Sequence, residues 1–426
     1  MSYYLLLAFI VVEYMRPGNM FPVLNALRLN TVIPLAMLAA TAVSGKVPHG
    51  EILQERNTLI LGALLFLIVV SVVTAGNIGY VFFTFTTVLG YVLVAWVVAR
   101  QVGDIEDIKG LFKMLLFVHV GIVAFAPEIV LDGQTRHYIP AGAFLGDGND
   151  FALSIDIIIP FCFFMMFDAK GLKGRIFWAV SLLVLVAAVI GTQSRGGTLG
   201  LIAVGIYFWS KTDRKVVTGA LSVVSVVGVL ALASPEYFQR MNTLSHVEDD
   251  GSAQGRITAW KAGTNMMLSN PLLGVGAGNF PPNFTRFAPG AEGVGRWKTA
   301  HSIYFLILGE LGLPGIAVLL YLIFWNLYEN RRVAKEVIKQ GLAKSSREVR
   351  LLGALSASLL AFAVAGAFLS AIYYPHMYVM AGMLIASRRI ARVAALATSA
   401  DAPKPSQAII ATPALRPQFQ PGRYVS

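Results

Sequence analysis

The sequence predicts an all-α integral membrane protein of about twelve transmembrane helices, with one large loop on the extracytoplasmic side. Three observations predict it. Hydrophobic residues fill 56% of the 426 positions and charged residues only 13%, whereas soluble domains carry about a quarter charged. Apolar stretches recur at the length a helix rising ~1.5 Å per residue needs to cross ~30 Å of hydrocarbon. Lysine and arginine gather in alternate connections between those stretches, as expected of a chain that weaves through a bilayer.

Taken in order, the apolar segments run at about 3–15, 27–44, 58–75, 78–99, 110–130, 151–167, 175–192, 197–210, 216–233, 301–328, 351–372 and 375–388. The first is short and carries Glu13. It lacks a basic start and a small-residue cleavage pattern, so it reads as a retained helix and not a removed leader. Polar or Gly/Pro-bearing turns separate the next segments, and only YYPH separates the last two. With both termini cytoplasmic, the inner loops and tail gather more than two-thirds of the 34 Lys and Arg; the inverted arrangement reverses that ratio. The net charge of +11 is therefore a topology signal and no nucleic-acid footprint. The single cysteine, Cys162, lies in an apolar run, which excludes an internal disulfide and a cysteine-based metal cluster.

Residues 1–392 are thus expected to form the polytopic membrane domain. Residues 234–300 form the large extracytoplasmic loop inserted within it, and a shorter outer loop spans 132–150. The Pro- and Ala-rich stretch 393–426 is expected to be a disordered cytoplasmic tail.

Cations left on the outer face call for an explanation. Arg195 sits in GTQSRGGTLG, a turn between two apolar segments, followed by Gly196 and Gly197. It either snorkels to the interface or contacts a ligand that the glycines let approach closely. Arg256 opens GRITAWKAGTNMMLSNP. There Ile257, Trp260, Met267 and Leu268 share one helical face and Thr258, Lys261 and Asn265 another, the pattern of a helix lying along the membrane surface. His301 stands where the long loop ends and an apolar helix begins. Glu310, nine residues on, falls roughly on the opposite side of a regular helix and ~13 Å further along, so it is no dyad partner for His301. With Pro314 following, GELGLPG marks a kink, and Glu310 is assigned a structural role.

Other motifs carry less. GVGAGNF (274–280) follows no strand and opens no βαβ unit, so it is a turn and not a nucleotide loop. Asp147, Asn149 and Asp150 in GDGND either bind a polar ligand or cap the next helix. Asp156 is an intramembrane carboxylate. No cluster of His, Asp and Glu has metal-ligand spacing, so neither a metal nor a cofactor is expected.

Two or three arginines and a histidine facing outward suit phosphate oxygens, because the guanidinium fork matches them. A phosphate-bearing ligand reaching such a cavity from the outer leaflet is most simply a lipid-linked diphosphate. If a sugar departs from it, preorganised guanidinium groups stabilise the developing charge without a divalent cation. His301 can take a proton from the attacking hydroxyl, nearby cations favouring its neutral form. Direct displacement inverts the anomeric centre.

Three stretches, TQSRGGTLGLIAVGIYF, GRITAWKAGTNMMLSNPLLGVGAGNF and AHSIYFLILGELGLPG, resemble the O-antigen ligase family of bacterial polytopic membrane glycosyltransferases. That superfamily also takes in O-antigen polymerases and protein O-oligosaccharyltransferases. The stretches occur in the family's order, with the large loop between first and last. GDGNDFAL and VVEYMRPGNMFP are similar to stretches of the branch associated with exopolysaccharide and exosortase clusters. The resemblance implies a GT-C-like fold in the bacterial inner membrane with its site facing the periplasm. It implies diphosphate binding by Arg195 and Arg256, and activation or positioning of the acceptor by His301. Arg136, His137, Asp150 and Arg296 are secondary candidates. The implied partners are a lipid-linked oligo- or polysaccharide donor, a glycolipid, glycan or protein acceptor, and membrane lipids, with no nucleic acid. A ligase and a repeat-unit polymerase differ only in the acceptor; the ligase is the first expectation and the polymerase the alternative. A secondary transporter is the rival from another class. It predicts a repeat between halves and helices interrupted near mid-membrane.

Overall fold

The computed structural model describes residues 1–131, 139, 142–212, 215–216, 251–288 and 298–400. They form helices and connecting turns. Seven helices among them are long and apolar enough to cross a membrane, and the chain is a membrane protein.

We number the principal helices α1 (Ser2–Met15), α2 (Leu29–Val43), α3 (Arg56–Val70), α4 (Ile78–Gln101), α5 (Ile105–Phe125), α6 (Gly148–Asp168), α7 (Leu172–Gly191), α8 (Arg195–Lys211), α9 (Gly251–Ser269), α10 (Phe280–Phe287), α11 (Ile303–Lys339), α12 (Arg347–Ala365) and α13 (Pro375–Ala400). The seven of spanning length are α3, with the short turn that extends it to Val73, then α4 to α7, α11 and α12, the last extending to Phe368. Helices α1 and α2 are shorter apolar helices. The helix expected at 216–233 lies outside the described residues apart from Val216, and so does the tail beyond Ala400. Helix α13 itself runs on to Ala400.

Polar side chains set where these helices begin. Asp104 and Asp107 form a capping box at α5, and Asp147, Ser194, Ser302 and Ser346 cap α6, α8, α11 and α12. Each satisfies backbone N–H groups that the first turn leaves without carbonyl partners. Helix α6 is the most enclosed of the seven. It packs against α7, α12, α8 and α5, and Phe151, Leu153, Ile155 and Phe161 on it are fully buried.

At one end of α6, Asp168 accepts from Lys109 of α5 (2.8 Å) and Arg347 of α12 (2.7 Å). At the other, Gly148 abuts Thr192, just before α8. The candidate residues gather at that second end.

Helix α11 is broken. Gly312 has φ 66° and ψ −158°, and Pro314 follows. The carbonyls of Gly309 and Glu310 instead accept from the N–H groups of Val275 (2.9 Å) and Gly276 (3.0 Å), while Leu313 N–H donates to Pro271 (2.7 Å). The kink expected at GELGLPG is present, and GVGAGNF is the turn that docks on it. Gly274, Gly276 and Gly278 all have positive φ, which a side chain rarely tolerates.

Candidate functional site

Arg195 is the first residue of α8 and is half-buried. The preceding turn is tight: Gln193 lies in the left-handed region at φ 52°, and the buried Ser194 hydroxyl accepts from Gly197 N–H at 3.1 Å. A Cβ on Gly196 would stand 3.1 Å from the Cβ of Phe368, and one on Gly197 2.6 Å from that of Ala152. The two glycines therefore let α8 pack against α6 and the 366–368 turn. Their missing side chains are taken up by protein contacts and do not open room for a ligand.

His301 is exposed and also left-handed, at φ 48°, a region in which histidine is enriched several-fold. It is followed by the buried cap Ser302 and by Ile303, whose side chain fills the space beside Gly366. Two residues earlier Thr299 donates to the Ser370 hydroxyl at 2.7 Å. Of the four described non-glycine residues with positive φ, two thus occupy the turns that carry Arg195 and His301. Such conformations cost of order 1–3 kcal/mol each and persist where the surroundings hold them.

Arg256 is half-buried near the start of α9. Trp260, one turn on, stacks on Phe305, one turn on from His301, with ring centroids 5.3 Å apart. Its other neighbour is Phe368, at 6.4 Å. Phe368 is the residue against which Gly196 packs. A cluster of three aromatic rings thus joins the elements that carry Arg195, Arg256 and His301. Lys298 belongs to the same neighbourhood, its Nζ 3.7 Å from where a Cβ on Gly255 would stand. Beside the cluster an open groove of about 360 Å³ is lined by Ile257, Trp260, Lys261, Thr264, Asn265 and Phe305.

Helix α9, whose pattern predicts a helix along the membrane surface, packs lengthwise on a neighbouring helix. Gly255, Trp260, Gly263 and Pro271 meet Lys298, Phe305, Gly309 and Leu313 in that order, so α9 runs parallel to the first half of α11. Its buried face is Ala259, Ala262, Gly263 and Met266, while Leu268 is 65% exposed. Small residues allow the close approach, which the amphipathic pattern does not register.

Asp150 is half-buried in the first turn of α6, where a negative charge suits the helix dipole, and Asp147 caps that helix at 2.8 Å. Arg136, His137 and Arg296 lie outside the described residues. Asp156 is wholly buried against Gly200, and its carboxyl oxygens have no hydrogen-bond partner. Among the described residues no group of three or more His, Cys, Asp or Glu could hold a metal ion.

Sequence reasoning missed the stretch 366–374, GAFLSAIYY, which reads as the end of an apolar helix. It forms two short 3-10 turns and touches every part of the site. Phe368 meets Gly196 and Trp260, Ser370 meets Thr299, and Tyr373 donates to Glu310 at 2.7 Å. Burial pushes the Tyr374 hydroxyl pKa up, and the charges of Asp150 and Asp147 add to the shift. Gly366 and Pro375, the first residue of α13, were the signals available.

The fold defines a polytopic helical membrane protein, with the elements that carry Arg195, Arg256 and His301 brought together at one end of its bundle. Residues 179–320, about a third of the chain, match the family model described as O-Antigen ligase. Over those residues the chain is similar to the O-antigen ligase family. The matched stretch takes in Arg195, Arg256 and His301. No curated protein matches the chain.

Proposed function

We propose that this protein transfers a glycan from a polyprenyl-diphosphate carrier to an acceptor hydroxyl on the periplasmic face of the bacterial inner membrane, as an O-antigen ligase. The observation that carries this reading is the convergence of the Arg195 turn, the Arg256 helix and the His301 junction on the Trp260–Phe305–Phe368 cluster. In this reading the guanidinium forks of Arg195 and Arg256 grip the diphosphate oxygens. His301, exposed at the rim, faces the incoming acceptor. The acceptor oxygen forms a bond to the anomeric carbon as the bond from that carbon to the diphosphate oxygen breaks. The hydroxyl proton passes to the His301 imidazole, and the carrier diphosphate leaves with the bonding pair, its charge met by the arginines. One displacement inverts the anomeric configuration. No step calls for a metal.

Complementation of a deletion strain tests the proposal. Arg195→Ala or His301→Ala is expected to abolish surface glycan at unchanged membrane level, and full display by both removes the assignment. The intermediate that accumulates on deletion identifies the acceptor class. Polymer held on the carrier lipid marks a ligase, and single repeats mark a polymerase.

A further inference from the structure

Glu310 is 1% exposed, and its carboxylate ties three separate elements. One oxygen accepts from Gly278 N–H at 2.8 Å and from the Tyr373 hydroxyl at 2.7 Å; the other accepts from Phe280 N–H at 3.1 Å. Each tie leads towards the site. Phe280 is fully buried, and its ring packs beside the point where α9 and α11 touch, 3.1 Å from where a Cβ on Gly263 would stand and 3.0 Å from one on Gly309. It therefore braces the Arg256 helix and the helix that His301 precedes where the two backbones meet. Tyr373 ends the stretch 366–374, whose Phe368 touches Gly196 and Trp260 and whose Ser370 holds Thr299.

The break at Gly312 makes these ties necessary. A continuous helix would hold 303–311 through its own backbone ladder. Here that half-helix ends at Gly309 and Glu310, with its last carbonyls taken by the 275–276 backbone. Its direction is set by what the glutamate and the docked loop hold.

We propose that Glu310 is a positioning residue, which through Tyr373 and Phe280 sets the spacing between the carriers of Arg195, Arg256 and His301. The proposal rests on the transfer reading above for its effect on rate, but its geometric content does not. Glu310→Gln keeps the shape and replaces one acceptor oxygen with a donor, so it opposes at least one of the three hydrogen bonds. Tyr373→Phe removes one bond and leaves the carboxylate in place.

The test places nitroxide labels on Leu199→Cys of α8 and Lys261→Cys of α9, in a Cys162→Ala background, and measures their distance distribution in purified full-length protein. Both Glu310→Gln and Tyr373→Phe are expected to broaden or shift that distribution. Turnover in transfer from a lipid-diphosphate-linked glycan should fall by about tenfold or more, because misplacement by ~1 Å costs up to 10²-fold. Glu310→Asp, which keeps the charge and retreats by one methylene, should recover part of the rate. An unchanged distribution overturns the proposal whatever happens to the rate, and so does turnover within twofold of the parent for both variants. If Glu310→Gln does not reach the membrane, Tyr373→Phe decides by the same readings. A changed distribution in a protein whose parent form transfers no glycan sinks the transfer reading and leaves the positioning role standing.

Discussion

The indole of Trp260 lies almost parallel to the ring of Phe305, 5.3 Å between centroids and 12° between planes. One ring stands a turn beyond Arg256 and the other a turn beyond His301, so a single stacked pair fixes the helix of the proposed phosphate ligand against that of the proposed base. Such pairs contribute about 0.5–1.5 kcal/mol beyond the area they bury, enough to hold one of several relative placements of two parallel helices.

Trp260→Ala should therefore lower glycan transfer about tenfold or more, while Trp260→Phe, which keeps a stacking ring, should retain most of it. In vitro transfer at equal protein amounts checks this. Equal rates for the two variants would mean that the ring only fills space.

Arg195→Lys tests whether the site needs a fork or only a charge. Lysine is a point charge on a flexible stem and cannot grip two phosphate oxygens in one plane. Transfer is expected to fall on the order of 10²-fold, the loss typical of removing a preorganised donor at a site of developing charge. Donor titration of the variant locates the loss: a raised KM places the contact in ground-state binding, and a lowered kcat places it in the transition state.

The sequence carried the helices because hydropathy over some twenty residues is a strong signal, and α3 to α7 appear close to their expected limits. Glu310 was legible as structural, since nine residues carry it away from His301 and Pro314 marks a kink beside it. What stayed hidden was where an apolar run stops being helical. Residues 351–372 read as one helix, yet the chain leaves α12 at Ala365 and turns twice before α13; hydropathy measures burial and says nothing of φ and ψ. The buried face of α9 was hidden for a related reason. Ala259, Ala262 and Gly263 add little hydrophobic weight, and they pack because they are small. The convergence of three distant motifs runs through Phe368, which no local pattern marks.

The opposite end of the bundle supplies a control. Asp168 joins Lys109 and Arg347 across three helices, far from the residues proposed to act. Asp168→Ala removes the more buried of the two carboxylates that Lys109 and Arg347 share, leaving the exposed Glu106 to pair with both, and should destabilise the protein by roughly 1–3 kcal/mol. That is below the ~3–5 kcal/mol of a fully buried pair, because the Arg347 side chain is 40% exposed and solvent screens it. Thermal unfolding in detergent should show the loss, with transfer per folded molecule unchanged.

The last prediction concerns Gly197. A Cβ there would stand 2.6 Å from the Cβ of Ala152 on α6, and neither atom can rotate away, so Gly197→Ala must push α8 off α6. Gly197 lies in the first turn of α8, two residues beyond Arg195, so that displacement carries the guanidinium with it. Strain of this kind costs typically 1–3 kcal/mol in a packed interior, and a shift of ~1 Å at a catalytic group costs up to 10²-fold in rate. Gly197→Ala should therefore lose transfer out of proportion to its loss of stability. Ala152→Gly removes the opposing methyl and should return both towards the parent values in the double variant. If Gly197→Ala alone transfers normally, or if the second change restores stability without restoring transfer, then the close seating of α8 on α6 does not place Arg195.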